Sequence, residues 1–537
     1  MDPSAPSSAF SHWKSARAAL SDAIQEFSLA SATLREFMIM PTKFHQPLQD
    51  ILDSIDPELD VLDSDRQKFE ESRAALSQAR NSSQTTVTFN RISPEIIAKI
   101  FEFSCARYKR NDRTRWNPWN RKHASPVTLS AVCSAWRILA LQTPSIWSEI
   151  DVVVGAWNGY RGPQLWAERA RDLPLSLTVC EHSGVMTSDE LTKDRESELE
   201  QFLASLMPRV YALESRLDEY TYDLSRVIIS SWVQNNHSST KKTLEITGSA
   251  SGYEPYTVYP DTFKKESGVP FLEHVTRLTL RGCLFDWKIM MPAGLVDLHL
   301  ENIPPTGAFG PERLGAVLSQ CPNLCSFAVI NCYINPMPKA SSPVTMNNLR
   351  VLCLESTKST HGLYHILPVL NIQSTDLDMS LSLSNDETCI SAAHSFFERT
   401  NVKKLYARNI EGRASLQSLL CSIPSLEELV LDRVFIFDDP IYEFYSGSVQ
   451  TQKYSWWPSL RVLYLNSVWT EFRSIETIHR HSILLDTIHL SDLKNMDDSE
   501  WTYKETKILG ESLNAWHEVK VCYDTGSPVH WTSVILK

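Results

Sequence analysis

Four short stretches of this 537-residue chain carry residue types that do chemistry. In "HGLYH", His361 and His365 fall one helical turn apart, as zinc ligands do, but Gly362 occupies the place where a metalloprotease carries its glutamate base. Surface or helix-packing histidines are the simpler reading. Cys321, Cys325 and Cys332 are close enough to invite a metal, yet none of the eleven cysteines forms a C-x-x-C pair. In "GSASG", Ala250 stands where a G-x-S-x-G nucleophile elbow needs its serine. The stretch 104–125, "SCARYKRNDRTRWNPWNRKHAS", sets seven basic residues against Asp112, a net +6, with Trp116 and Trp119 between them. Such a segment binds single-stranded nucleic acid by charge and stacking, acts as a nuclear import signal, or is simply a solvated loop; the last is the plainest. With no phosphate-cradling loop among only 17 glycines, the chain reads as non-catalytic, without metal or cofactor.

Composition narrows the classes further. Hydrophobic residues make up 42% and charged residues 22%, an ordinary globular balance, and the net charge of -12 argues against a surface made for phosphate. An odd cysteine count without an apolar leader segment leads us to expect reduced thiols in the cytoplasm or nucleus. No apolar run approaches the roughly 18 residues of a membrane span, so no membrane association is expected.

The elements that position these residues fall into blocks. From Trp13 to Phe37, Trp13, Leu20, Phe27 and Leu34 recur every seven residues, with Ala16, Ala23, Ala30 and Phe37 three later. Leu48, Ile55, Leu62, Phe69 and Leu76 repeat the pattern after Pro47. Two such helices form an antiparallel hairpin with facing seams, or an intermolecular coiled coil; the hairpin, occupying 1–86 with the polar linker "NSSQTT", is the first expectation.

Next, "ISPEIIAKIF" has Ser93 for an N-cap, Pro94 for the first helical position and Glu95 at the positive end of the helix dipole. Some thirty residues on, "SAVCSAWRILALQTPSIW" places Leu129, Val132, Cys133, Trp136, Leu139 and Ala140 on one helical face ending before Pro144.

From about residue 270 a repeat takes over. "CPNLCSFAV", "IPSLEELVL" and "WPSLRVLYL" share one pattern, and a loose L-x-x-L-x-L core starts at 275, 295, 324, 349, 402, 426, 460 and 485. The 53-residue interval after 349 is explained if "STDLDM", 374–379, is a degraded copy. These periods match leucine-rich repeats, in which each unit supplies a strand and a return segment. Amphipathic stretches such as "RLGAVLSQ", "LQSLL" and "RSIETIHR" favour a strand-helix solenoid. "PQLWAERARDLPLSLTV" reads as an irregular first unit, and 181–268 as weak repeats and loops.

Taken together, residues 92–147 resemble an F-box, through Ile92, Glu95, Ile96, Ile97, Ile100, Phe101, Val132, Cys133, Trp136, Arg137 and Trp147, with Ser93 in place of the usual proline and a long insertion at 104–125. The layout of the whole chain resembles the large F-box-like families of mushroom-forming (basidiomycete) fungi. This implies an α+β multi-unit chain: helical hairpin and linker (1–86), small helical F-box (87–150), irregular first repeats and loops (151–270), and an α/β leucine-rich-repeat horseshoe (271–537).

The resemblance further implies a substrate adaptor of a Skp-cullin-F-box ubiquitin ligase. Its F-box would dock on a Skp-type adaptor, and through it on a cullin, by Ile92, Pro94, Ile96, Ile97, Ile100, Val132 and Cys133. Trp136 belongs either to that contact or to the core. Between the repeat leucines, strand residues face the horseshoe's concave side. That selects Arg277, Arg281, His299, Glu301, Tyr406, Arg408, Glu428, Asp432, Tyr464 and His489 for an unknown protein substrate. The alternative is a repeat scaffold or nucleic-acid-associated protein whose F-box does not engage a ligase.

Overall fold

The computed structural model describes residues 5–39, 46–82, 91–105, 125–154, 159–181, 193–217, 222–236, 240–248, 256–258, 271, 273–285, 293–303, 310–335, 343–357, 362–382, 387–408, 423–436, 458–470, 484–491, 493 and 520–523. His361, most of the basic insertion, and the stretches "LQSLL" and "RSIETIHR" lie outside them. The chain divides into two units, Met1–Ile96 with Cys133–Ala135, and Ile97–Val132 with Trp136–Lys537.

The first unit contains α1 (Ala5–Ile39) and α2 (Gln46–Ser82). Alanine and straight-chain residues explain the unbroken helices, and Pro57 is accommodated inside α2. The seams do not meet as a hairpin requires: Trp13, Leu20, Phe27 and Leu34 are 41–52% exposed, and Leu62, Phe69 and Leu76 are exposed as well. An antiparallel hairpin would set residues 22–36, with three acidic side chains against one basic, beside the acidic 50–65 stretch, and like charges oppose that pairing.

In the second unit, one parallel sheet runs through fourteen strands in chain order among the described residues. They are β1 (Glu149–Val154), β2 (Leu175–Glu181), β3 (Val210–Leu217), β4 (Lys242–Gly248), β5 (Val275–Arg281), β6 (Asp297–Glu301), β7 (Ser326–Ile330), β8 (Val351–Glu355), β9 (Leu377–Ser382), β10 (Val402–Arg408), β11 (Glu428–Asp432), β12 (Val462–Asn466), β13 (Thr487–Ser491) and β14 (Lys520–Tyr523). This is an α/β repeat solenoid. Helices Arg161–Arg169, Lys193–Leu206, Tyr222–Asn235, Pro311–Ser319 and Glu387–Glu398 serve as return segments.

Parallel pairing stacks leucine on leucine. Leu278, Leu298, Phe327, Leu352, Met379, Leu405, Leu429, Leu463 and Ile488 align in one buried column, and Leu280, Leu300, Val329, Leu354, Leu381, Ala407, Leu431, Leu465 and Leu490 in the next. Each repeat alone is too small to bury its apolar face, so neighbouring repeats supply the core to one another.

The degraded copy at 374–379 contributes to β9, which fills the long interval. Residues 149–248 need correction, because β1 to β4 belong to the same sheet as the later strands. Their periodicity is blurred by Ser215 and Lys242 at core positions. Ser215 is buried with its hydroxyl 3.2 Å from that of Ser225, and the buried Lys242 lays its amine over the Phe271 ring and donates to the Thr240 carbonyl.

A common turn closes several strands. Gly282, Asn302, Asn331, Arg433 and Ser467 all have φ between 50° and 64°. Each amide donates to the last carbonyl of the next strand at 2.8–3.0 Å, as from Gly282 to Glu301 and from Ser467 to Ser491. The following residue turns inward: Cys283, Ile303, Cys332, Val434 and Val468 are buried.

Candidate protein-interaction surfaces

The first candidate surface lies on short helices. Helix α3 (Pro94–Cys105) starts where Ser93 and Pro94 predict, and contacts to its own backbone N–H and to Ser93 hold the Glu95 carboxyl below its usual range. Helix α4 (Pro126–Val132) is capped by Ser125, whose Oγ accepts from the Thr128 amide at 3.0 Å. The single helix expected over 129–140 is instead two, α4 and α5 (Ser134–Leu141), broken at Cys133. Arg137 Nε donates at 3.0 Å to the Ser130 carbonyl, which a continuous helix would offer to the amide of residue 134.

These helices are fixed to the solenoid within the second unit. Phe101 is fully buried against Trp136, ring centroids 5.0 Å apart. Ser145 donates to Glu102 at 2.7 Å, and Lys99 and Ser145 together hold the Glu102 carboxyl below its usual range. In the Pro144–Trp147 corner, Trp147 is buried, donates from Nε1 to the Ala140 carbonyl at 2.8 Å, meets Trp166 edge-on and carries Arg169 over its face.

Packing sorts the sequence-selected residues. Ile97 is 7% exposed, so it faces inward and is corrected from contact to core, while Trp136 is half-buried with one side against Phe101. Ile96 (55%), Ile100 (38%) and Val132 (56%) face solvent; Pro94 is exposed, and Ile92 and Cys133 are half-buried. Sequence reasoning missed Phe103, Val127 and Ile138, which are also exposed and apolar. Their signal was position: Phe103 lies three residues after Ile100, and Val127 and Ile138 fall outside the stripe read as the buried face.

The second candidate surface is the sheet face bearing the residues between the leucines. On β4 to β6, Arg281 lies between Glu245 (2.5 Å) and Glu301 (3.0 Å), His299 Nε2 is 3.4 Å from Glu301, and Arg277 pairs with Asp297 at 2.9 Å. On β8 to β12, Ser380 donates to Glu355 (2.5 Å), and Arg408 reaches Glu355 (3.6 Å) and Asp432 (3.3 Å). Tyr406 Oη and Asn466 Nδ2 donate to Asp432 at 2.6 and 2.9 Å. Burial first, then the Asp432 charge and hydrogen bond, raise the Tyr406 pKa, so its phenol remains a donor.

Lys404 pairs with Glu428 at 3.4 Å, while burial pushes the Glu428 pKa up. Tyr464 and His489 stack with centroids 4.3 Å apart. Between the two charged networks lies an apolar stretch of Ala328, Ile330 and Cys353, all buried. The ten residues selected from sequence thus occupy one sheet face, in several clusters, but Glu301, Tyr406 and Asp432 are buried among their partners and are corrected from contact to support of that face. Glu245, Glu355 and Ser380, which complete the networks, were missed; Glu355 and Asn466 occupy the same register position as Arg281, Glu301, Arg408 and Asp432.

Of the clustered cysteines, Cys321 and Cys332 are core residues, as is Cys283, while Cys325 is half-buried. Burial pushes the Cys283, Cys321 and Cys332 thiols up to about 12. Among the described residues no group of His, Cys, Asp and Glu is placed to hold a metal ion, and no helix is long and apolar enough to cross a membrane.

No protein-family model matches the chain, and no curated protein matches it. Among solved structures it is similar to the leucine-rich repeat-containing protein LegL7 from Legionella pneumophila, at 12% identity and a TM-score of 0.28, covering 69% of this chain and 99% of that one.

Proposed function

We propose that the chain is a non-catalytic substrate-recognition subunit of a Skp-cullin-F-box ubiquitin ligase. Its short helices dock on a Skp-type adaptor, and the sheet face between the leucines receives a protein substrate. The observation that carries this reading is the outward placement of Ile96, Ile100 and Val132 on helices of 7–12 residues. Apolar side chains in such positions gain free energy by entering a partner's groove. The sheet face supports the second half: mixed charge with the part-exposed Tyr464 and His489 suits a polypeptide better than a phosphate backbone.

The test is affinity capture of the full chain with a Skp-type adaptor. Capture is expected from the parent chain and is expected to fail for Ile96→Asp/Ile100→Asp, with the thermal transition retained. Undiminished capture by that variant overturns the docking assignment. No capture by the parent, together with salt-sensitive retention of single-stranded nucleic acid, favours the scaffold alternative.

A further inference from the structure

Helix α2 divides by charge near its middle. Residues 50–65 carry seven acidic side chains and no basic one, whereas 66–80 carry four basic and two acidic. A heptad column changes at the same place: Leu59 is followed at seven-residue steps by Arg66, Arg73 and Arg80, four residues after Ile55, Leu62, Phe69 and Leu76 respectively. Leu59, Leu62, Phe69 and Leu76 are exposed. Arg66 and Lys68 pair with Asp63 and Asp65 within the helix at 3.7 and 2.9 Å, in solvent-exposed pairs that hold the side chains weakly.

We propose that α2 pairs antiparallel with α2 of a second copy of this chain. With residue 64 on the two-fold axis, Leu59 meets Phe69 of the second copy, Leu62 meets Arg66, and Ile55 meets Arg73. In that register each member of one heptad column faces a member of the other, which is the a-to-d facing of an antiparallel coiled coil. Arg66 and Arg73 lay their aliphatic stems over Leu62 and Ile55 while their guanidiniums reach the neighbouring Asp63, Asp56 and Glu58. Asp63 and Asp65 of both copies approach the axis, where the two Arg66 side chains lie between them.

Charge selects this arrangement. A parallel pair sets the two acidic halves side by side, and a hairpin with α1 opposes two acidic stretches. Antiparallel self-pairing alone among the three sets 50–65 against 66–80. A dimer chosen by charge across a partly apolar seam weakens as salt screens it.

The experiment measures the mass of the full chain by sedimentation at micromolar concentration. A dimer is expected, shifting toward monomer in high salt. Arg66→Glu/Arg73→Glu is expected to weaken it at least about tenfold, with helix content by circular dichroism unchanged. Register is read by mild oxidation. An equimolar mixture of Leu59→Cys and Phe69→Cys chains is expected to form a disulfide-linked dimer beyond the parent's background, and Leu59→Cys alone is not. Within one helix those positions are about 15 Å apart, so the crosslink reports pairing between copies. A monomeric parent, a double variant that dimerises like the parent, or preferred crosslinking of Leu59→Cys with itself would each overturn the proposal. None of these readouts depends on adaptor binding.

Discussion

The two outward surfaces of the second unit are built in opposite ways. On the short helices, Ile100, Val127, Val132 and Ile138 hold apolar carbon in solvent. On the sheet face, Arg281, Glu301, Arg408 and Asp432 have counter-charges from neighbouring strands. A partner gains on the first surface simply by excluding water. On the second it must outcompete bonds already made, so recognition there depends on shape and geometry more than on net attraction.

The largest expected effect tests the junction that joins the two surfaces. Trp147→Ala removes a buried ring, its hydrogen bond and its contacts with Trp166 and Arg169. It should lower stability in urea by about 3–5 kcal/mol. Loss of the short helices alone, with the repeats unchanged, would show the two surfaces to be energetically independent.

Arg281→Met comes next, because it leaves Glu245 and Glu301 facing each other without their cation. A cost of about 1–3 kcal/mol is expected, below that of a fully buried pair because the arginine retains some exposure, and Glu245→Gln/Glu301→Gln in the same chain should recover most of it. A neutral single variant would break the picture of a self-satisfied sheet face. By contrast, Ile138→Ser on the short helices should change stability by no more than about 0.5 kcal/mol.

The smallest effect sharpens the electrostatic side. Burial raises the Asp378 pKa although Lys404 opposes it. The folded state then holds its proton more tightly than the unfolded state, so this group's contribution to stability falls as pH rises from the unfolded carboxylate pKa of about 4 through the raised folded value. Asp378→Asn should remove that slope and raise stability at pH 7 by up to about 0.5 kcal/mol, read as the difference between thermal transitions at pH 5 and pH 7.

Much of the architecture was legible in advance. The strands starting near 275, 297, 326, 351, 402, 428, 462 and 487 follow the leucine spacing, because parallel stacking requires the same apolar positions in every unit. Strands β1, β3 and β4 were not read as regular members of the array. A buried serine and a buried lysine at leucine positions hide the period, and their polar atoms find partners that the period does not announce, such as the Ser225 hydroxyl and the Phe271 ring. The helix over 129–140 failed as a single element because its break depends on one side chain reaching back seven residues.

The sequence by itself determined the periodic core, the helix start at Pro94 and the sheet positions available to a ligand, since each is set by local spacing or a single turn of chain. Only the tertiary structure decided which residues face inward and which charges are neutralised. Ile97 and Phe101 face inward because of what packs beside them, and Ile96 and Ile100 do not. Arg281 is held by residues 36 and 20 positions away. Those distances close only when particular strands become neighbours in a particular register, and a repeat period fixes the kind of neighbour without naming the side chain it carries.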